Sequence, residues 1–593
     1  MGNLFASFNT GVSGIHSAQT SMNTAAHNLA NATTPGHTRQ QAVVTDAFYS
    51  SRYGAYSNKI QVGLGTDVVK IRQIRNTFLD DQYRLQVGRQ SFYEAQYDAV
   101  MEMEELFGEL EAQEFLTSMT DLWNAVQELS KTPNDITCRS ELVSLTSQFT
   151  ERAQVLQQQL NEYQKNMNDE VQNQVDAIND IVSQIRDYNM LIRKYESTGE
   201  SANDYRDARN LLLDQLGSII TFKPIEEKDG TISIYSEGAY LLEGNHQNRL
   251  TTAYESSTSK LLKPVWETGE DYFFRGELAY SPETNTDVGS LRGLLVARGN
   301  HAADFRDMPV KPVEEDFMDE FGTLDERAWF NANEKYKRDV EEYNEYVEPS
   351  IVMKVQAEFD QLVRGVAMMM NDTLCPNKEL ELADGTKIKV LDTDKAPIGD
   401  DADETMGTEL FVRRKTPRYT EKMVEVLNED GTTSSIKVYQ YNEEDVEDRY
   451  TLYTIDQLEV NPELLRDPSK LPLTANPNSG YADGFTQFIC ADLAEKWQQD
   501  FSALDPNSMT TYNFAGYYAA LVGQFSTDGN VWMGIIKNQV MTVNSIEGER
   551  QNVMGVATDE ELADLIKFQK CFDASSRYIT VVDEMIEHLI TSL

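Results

Sequence analysis

Asn28-Leu29-Ala30-Asn31-Ala32-Thr33-Thr34-Pro35-Gly36-His37-Thr38-Arg39 stops one helix and turns the chain into an extended segment. Pro35 excludes Thr34 from the helical region, and Pro-Gly makes a turn. Asn31 is expected to cap the helix C-terminus in the left-handed conformation. Residues 41–45 then read as extended. Upstream, Phe5, Phe8, Val12, Ile15, Gln19, Met22, Ala26 and Leu29 alternate spacings of three and four, a heptad seam with one polar member, Gln19. The opposite face holds Ser, Thr and Asn and almost no charge. A solvated helix face normally carries charge, so this helix is expected to be covered by protein on more than one side.

The C-terminal end mirrors this pattern. Leu565, Phe568, Phe572, Ser575, Ile579, Val582, Ile586, Leu589 and Leu593 repeat the alternation, and Thr558 with Glu561 offers a capping box. Helices this long are marginal alone in water. The two ends are therefore expected to pair with each other or with another subunit; two unrelated amphipathic helices on separate cores are the plainer alternative.

Between Pro133 and Gly199 lie 65 residues without Gly or Pro. Their apolar stripe runs from Leu142 through Phe149, Leu160 and Val171 to Ile192, so the segment predicts a helical rod. Residues 78–129 read as another long helix interrupted by Gly88 and Gly108, and 205–220 as a shorter one. In 222–242, strands flank an Asp229-Gly230 turn. Residues 304–348 hold 15 acids against 6 bases and read as a solvated charged stretch. Residues 351–374 read as an apolar helix. Strands follow near 387–391, 410–412, 423–427 and 436–441, with a second turn at Asp430-Gly431.

The expected fold class is mainly α with β-rich inserted domains (α+β, multidomain). The terminal helices form a coiled-coil inner domain, 1–60 with 545–593. A helical trunk comprises 61–309 with 501–544 and carries a small β part near 222–290. Residues 310–500 form an acidic outer inserted domain held away from the trunk.

The 593 residues carry a net charge of −45. A surface that acidic disfavours nucleic acid, whose binding runs on Lys and Arg neutralising phosphates, and disfavours anionic membranes. No apolar run approaches the length of a membrane span. No Lys or Arg precedes Arg39, so the basic region of a secretory signal is missing. The four cysteines form no C-x-x-C pair, and no H-E-x-x-H occurs. The acids from Asp392 to Glu404 fail the calcium-loop spacing, with Ala396 and Pro397 where that loop needs an acid and Gly. No nucleophile elbow, P-loop or dinucleotide fingerprint is present. The expectation is no catalytic, metal or cofactor site; His16, His27 and His588 read as helix-surface residues.

The opening stretch resembles the signature of bacterial flagellar axial proteins, N-N-L-A-N-x-x-T-P-G-Y-x-R. Here it reads His27-Asn28-Leu29-Ala30-Asn31 and Thr34-Pro35-Gly36-His37-Thr38-Arg39, with His27 in place of the first Asn and His37 in place of Tyr. The segment Asp559-Glu560-Glu561-Leu562-Ala563-Asp564-Leu565 and the Ser575-Ser576-Arg577-Tyr578 run are similar to the closing helix of the same group. Asp207-Ala208-Arg209-Asn210-Leu211-Leu212-Leu213-Asp214-Gln215-Leu216 and Gly289-Ser290-Leu291-Arg292-Gly293-Leu294-Leu295 resemble its hook–filament junction members.

The resemblance implies a self-assembling structural subunit, not an enzyme, without cofactor, carried through a type III export channel with no cleaved signal and located in the extracellular flagellum. Its implied partners are copies of itself, hook protein, hook-associated protein 3, and a cytoplasmic export chaperone gripping the C-terminal helix; nucleic acid and membrane are not among them. The assembly seams would be Phe5, Phe8, Val12, Ile15, Met22 and Leu29 at the N-terminus and Leu565, Phe568, Phe572, Ile579, Val582, Ile586 and Leu589 at the C-terminus. The turn motif would be Asn28, Asn31, Thr34, Pro35, Gly36 and Arg39. The terminal segments are expected to order on joining the assembly. The alternatives are another axial protein (hook, rod or flagellin-like), or a surface enzyme or adhesin carried on 310–500, a segment with no His and only Cys375 and Cys490 as thiols.

Overall fold

The computed structural model describes residues 2–53, 59–108, 110–269, 271–275, 280–318, 323–427, 433–474, 476 and 485–592. Its α-helices are α1 (Gly2–Ala30), α2 (Thr77–Gly108), α3 (Leu110–Lys131), α4 (Ile136–Glu196), α5 (Asn203–Ile219), α6 (Ser290–Arg298), α7 (Glu326–Glu342), α8 (Ile351–Leu374), α9 (Pro462–Arg466), α10 (Phe485–Gln498), α11 (Phe514–Met554) and α12 (Thr558–Ser592). The rod expected after Pro133 is α4, 61 residues long, or about 90 Å at 1.5 Å per residue. Asp135 starts it by accepting the amide of Thr137. Residues 78–129 fall in α2, which runs through Gly88 to Gly108, and α3.

The strands form small antiparallel sheets around this rod. Gln40–Asp46 pairs with Thr66–Gln73, and Tyr49–Tyr53 with Lys59–Gly63. Lys223–Glu226, Ile232–Ser236, Ala239–Glu243 and His246–Gln247 make a four-stranded sheet, with Gly230 at φ +81° in the expected turn. A second four-stranded sheet contains Asn377–Glu381, Lys387–Leu391, Thr433–Tyr441 and Tyr419–Leu427 in that order. The Asp430-Gly431 turn between its last two lies outside the described residues.

Buried asparagines dock these sheets on the helices. Asn179 of α4 donates to the Leu250 carbonyl at 2.8 Å and accepts the Leu250 amide at 2.9 Å. Asn189 holds Ile232 in the same way at 2.8 and 3.1 Å, and Asn371 of α8 holds the 410–411 backbone. Each amide satisfies both polar groups of a strand residue that would otherwise be buried without partners.

One continuous core joins α3, α4, α8, α10 and α11 around Phe107, Phe115, Phe149, Phe359 and Tyr518. Part of the expected outer block 310–500 belongs to this core. Its α8 buries Val352, Val355, Phe359, Leu362, Val363 and Val366 against the trunk. Gln154 of α4 also donates to the carbonyls of Ile455 and Leu458. The exposed acidic face belongs to α7, which buries no residue. Two boundaries move as well. Position 60 falls inside the Tyr49–Gly63 hairpin, and α11 runs unbroken through 545 to Met554.

Candidate assembly interface

The terminal helices α1 and α12 lie antiparallel: Gly11 meets Ile579, Gly14 meets Ser575, and Asn28 meets Glu561. The contact is close. A Cβ on Gly11 would sit 2.5 Å from Ile579 Cγ1, and one on Gly14 would sit 2.7 Å from Ser575 Oγ. Gly11, Ala18, Ser21, Ala25 and Asn28 are buried in heptad spacing, with Gly14 on the same line. The stripe that faces α12 is thus made of small residues. On a third side, Ser13 accepts the Thr66 amide at 3.2 Å, and the Ser17 and Thr66 hydroxyls are 3.0 Å apart. The uncharged Ser/Thr face is covered by the chain's own β-ribbon.

The residues of the expected N-terminal seam are not the ones that face α12. Phe8, Val12, Ile15, Met22 and Leu29 are only half-buried and lie beside the small-residue stripe rather than on it. The Phe5 side chain lies outside the described residues. On α12, Val582 is buried, while Leu565, Phe568, Phe572, Ile579, Ile586 and Leu589 are half-buried. A further apolar set, Leu562, Ile566, Tyr578, Val581, Met585 and Ile590, is exposed. Cys571 is exposed.

The turn motif ties this pair to the trunk. Asn28 repeats the asparagine device, donating to the Gln40 carbonyl and accepting the Gln40 amide, each at 2.9 Å. Its Nδ2 also donates to Glu561 Oε2 at 3.1 Å, while Arg39 Nε donates to Glu561 Oε1 at 2.7 Å. Arg39 further donates its backbone amide to the Met554 carbonyl at 2.8 Å. Glu561 is therefore not the return half of a capping box; it is the buried carboxylate joining α12 to the end of α1. Asn31 differs from expectation too. It lacks a positive φ and caps α1 by donating its side-chain amide to the His27 carbonyl. Gly36 takes the left-handed conformation, at φ +78°. Thr34 donates to Asn31 Oδ1, and Pro35 is exposed.

Beneath the turn lies α5. Asp207 accepts the Thr38 amide at 3.1 Å and Gln73 Nε2 at 2.7 Å, and burial pushes its carboxyl up to about 6. His37 Nδ1 is 3.6 Å from the same carboxylate, and burial lowers the His37 pKa. Two turns along α5, Asp214 accepts Arg84 Nε at 2.7 Å and Arg550 Nη2 at 2.8 Å. Arg550 also donates to Asp80 at 3.0 Å and lies over the Tyr83 ring. Burial works against the Arg550 charge, but Asp214, Asp80 and Glu547 outweigh it and hold its pKa above the usual value. The two acids of the Asp207–Leu216 stretch thus grip the start and the end of the chain at one junction.

The flagellar hook-associated protein FlgK helical domain model matches residues 100–323, and the flagellar basal body rod FlgEFG protein C-terminal model matches residues 550–592. Flagellar hook-associated protein 1 of Bacillus subtilis is 23% identical over 605 aligned positions, covering 100% of this chain and 99% of that protein. The Escherichia coli protein of that name is 22% identical, with 98% of each chain covered. The chain is similar to flagellar hook-associated protein 1 from end to end. The solved flagellar hook junction protein FlgK from Burkholderia pseudomallei shares the fold, with TM-score 0.50, 13% identity, 80% of this chain and 100% of that chain covered. The likeness points to the bacterial flagellum and to assembly with other flagellar components.

Sequence reasoning missed Glu561, Asp204 and Arg550 as junction residues. The signal for Glu561 was the resemblance of the segment that carries it; Asp204 and Arg550 lie outside the resembling segments, and nothing in the spacing showed that these parts of the chain meet. His27 reads as a helix-surface residue but lies against His37 and Asp204.

Proposed function

We propose that this chain is a structural subunit joining the flagellar hook to the filament, and that it joins its neighbours through α1 and α12. The observation that carries this is the division of α1. Its small-residue stripe is consumed by α12, and its large apolar stripe stays half-exposed. A contiguous apolar surface of this kind on a soluble chain marks an interaction site. Head-to-tail packing of identical subunits would complete both helices. Hook protein, hook-associated protein 3 and an export chaperone at α12 are the further partners, and the location is extracellular after export without a cleaved signal. The inner terminal-helix domain, expected as 1–60 with 545–593, acts as the assembly unit.

The chain is proposed to have no enzymatic role. The apolar residues of 310–500 serve the trunk core, and its buried thiols Cys375 and Cys490 are both pushed up to about 12 by burial, the opposite of nucleophile activation. The test is a deletion strain complemented with this chain. Hooks without filaments and flagellin shed into the medium are expected on deletion, with filaments restored by complementation. Normal filaments in the deletion strain refute the junction role.

A further inference from the structure

We propose that His27, His37 and Asp204 form a binding site for a divalent transition-metal ion of the zinc class, which pins the end of α1 to the start of α5. His27 lies in the last turn of α1, His37 follows Gly36 in the turn, and Asp204 lies in the first turn of α5. One donor atom from each lies within 4.8 Å of the other two. His27 Nε2 and Asp204 Oδ1 are already 3.3 Å apart, and the imidazole rings meet edge-on with centroids 5.5 Å apart. A tetrahedral zinc with bonds near 2.1 Å holds its ligand atoms about 3.4 Å apart. The set closes to that spacing by small movements of Asp204, which is exposed, and His27, which is half-exposed.

A second observation comes from His37. Its side chain is 6% exposed, yet Nε2 has no hydrogen-bond partner among the described residues. A buried nitrogen without a partner is costly, and a metal bond satisfies it. Its other nitrogen faces the Asp207 carboxylate at 3.6 Å. That nitrogen lies toward the carboxylate, and Nε2 is the nitrogen left to ligate. Asn31 places its amide 3.3 Å from His27 Nδ1 and holds that ring too. Two imidazoles and one carboxylate favour zinc-class ions over magnesium or calcium, which prefer all-oxygen sites. The fourth position opens to solvent and takes water. Both histidines are the points at which this chain departs from the axial-protein pattern it resembles.

The test uses the purified, chelator-treated full chain, with Co2+ as the spectroscopic probe and Zn2+ as competitor. One cobalt per chain should give a visible d–d band, displaced by stoichiometric zinc and untouched by magnesium or calcium. D204N and H27N are each expected to weaken binding at least about tenfold, with far-UV circular dichroism unchanged. H16N and H588N, which alter exposed histidines elsewhere on the terminal helices, should leave binding intact. Absence of the band at micromolar free cobalt overturns the proposal. So does binding that survives H27N and D204N undiminished.

Discussion

The trunk around Phe115 and the helix pair at the chain ends are built from the same kind of element, yet they dispose of their apolar residues in opposite ways. In the trunk, α3, α4, α8 and α11 bury large side chains completely, with Phe115, Phe149 and Phe359 at 0% exposure. In the terminal pair, the internal contact uses Gly, Ala and Ser, and the large apolar residues stay half-exposed. A small-residue seam brings two helices close but removes little apolar surface from water, and at about 25 cal/mol per Å2 it contributes little stability. The trunk is complete as a single chain, whereas the terminal pair has reserved its larger surface for something else.

The largest effect should come from breaking the complete half. Phe115→Ala removes a ring that touches Phe149, Phe359 and Tyr518. A buried Phe→Ala change costs about 3–5 kcal/mol, so the trunk's urea midpoint should fall sharply. Arg550→Met strikes the joint between the halves. It leaves Asp80 and Asp214 buried without that partner, though Arg75 and Arg84 still reach them. The expected cost is about 3 kcal/mol. The terminal pair should then detach from α2 and α5, seen as faster amide exchange around Met554 while α4 stays protected.

Glu358 sharpens the trunk side by pH. It is fully buried on α8, and neither carboxylate oxygen has a hydrogen-bond partner among the described residues. Burial pushes its pKa up to about 8; Lys354 opposes the shift, and Asp505, Asp528 and Glu348 add to it. The folded state therefore keeps a proton that the unfolded chain loses near pH 4.5. Its contribution is full below that pH, falls by about 1.4 kcal/mol per pH unit as pH rises, and levels off above pH 8. Glu358→Gln should remove this slope, so urea midpoints of variant and parent diverge steadily from pH 5 to pH 8.

Periodicity made the trunk legible in the sequence. The extents of α4 and α8 follow from stripes of large apolar residues; their caps, Asp135 and Ser350, are seen only in the structure. Hydrophobic pattern reports what is buried but not against what. Residues 310–500 read as an acidic insertion held away from the trunk, while α8 within them enters the trunk core. On α1, attention to large residues picked the stripe beginning Phe8-Val12-Ile15 and passed over Gly11-Gly14-Ala18, because a Gly or Ala line gives no hydrophobic signal even when it is the tightest contact. Asn28, Asn179, Asn189 and Asn371 dock strands by side-chain pairing, a tertiary role that single-chain spacing does not encode. The junction was legible only in pieces: the segments bearing Asn28, Asp207 and Glu561 each resembled the same protein group, and the fold brings them together.

The smallest effect on the single chain should carry the largest consequence for assembly. Val12 lies on the half-exposed stripe of α1, one residue from Gly11 on the stripe facing α12. Val12→Asp places a charge where solvent already reaches, so its cost to the free subunit should stay within about 0.5 kcal/mol. In the assembly that position would be enclosed by a neighbour, and an unpaired buried charge is not tolerated there. Gly11→Val does the reverse, because its side chain would drive into Ile579 and part α1 from α12 before any neighbour arrives. In the free subunit, helix content should therefore fall for Gly11→Val and hold for Val12→Asp. In cells, neither should support filaments, and only Val12→Asp should yield secreted chain with intact terminal helices. If Val12→Asp builds normal filaments, the exposed stripe is not the assembly surface, and the contrast between the two halves of this molecule loses its functional meaning.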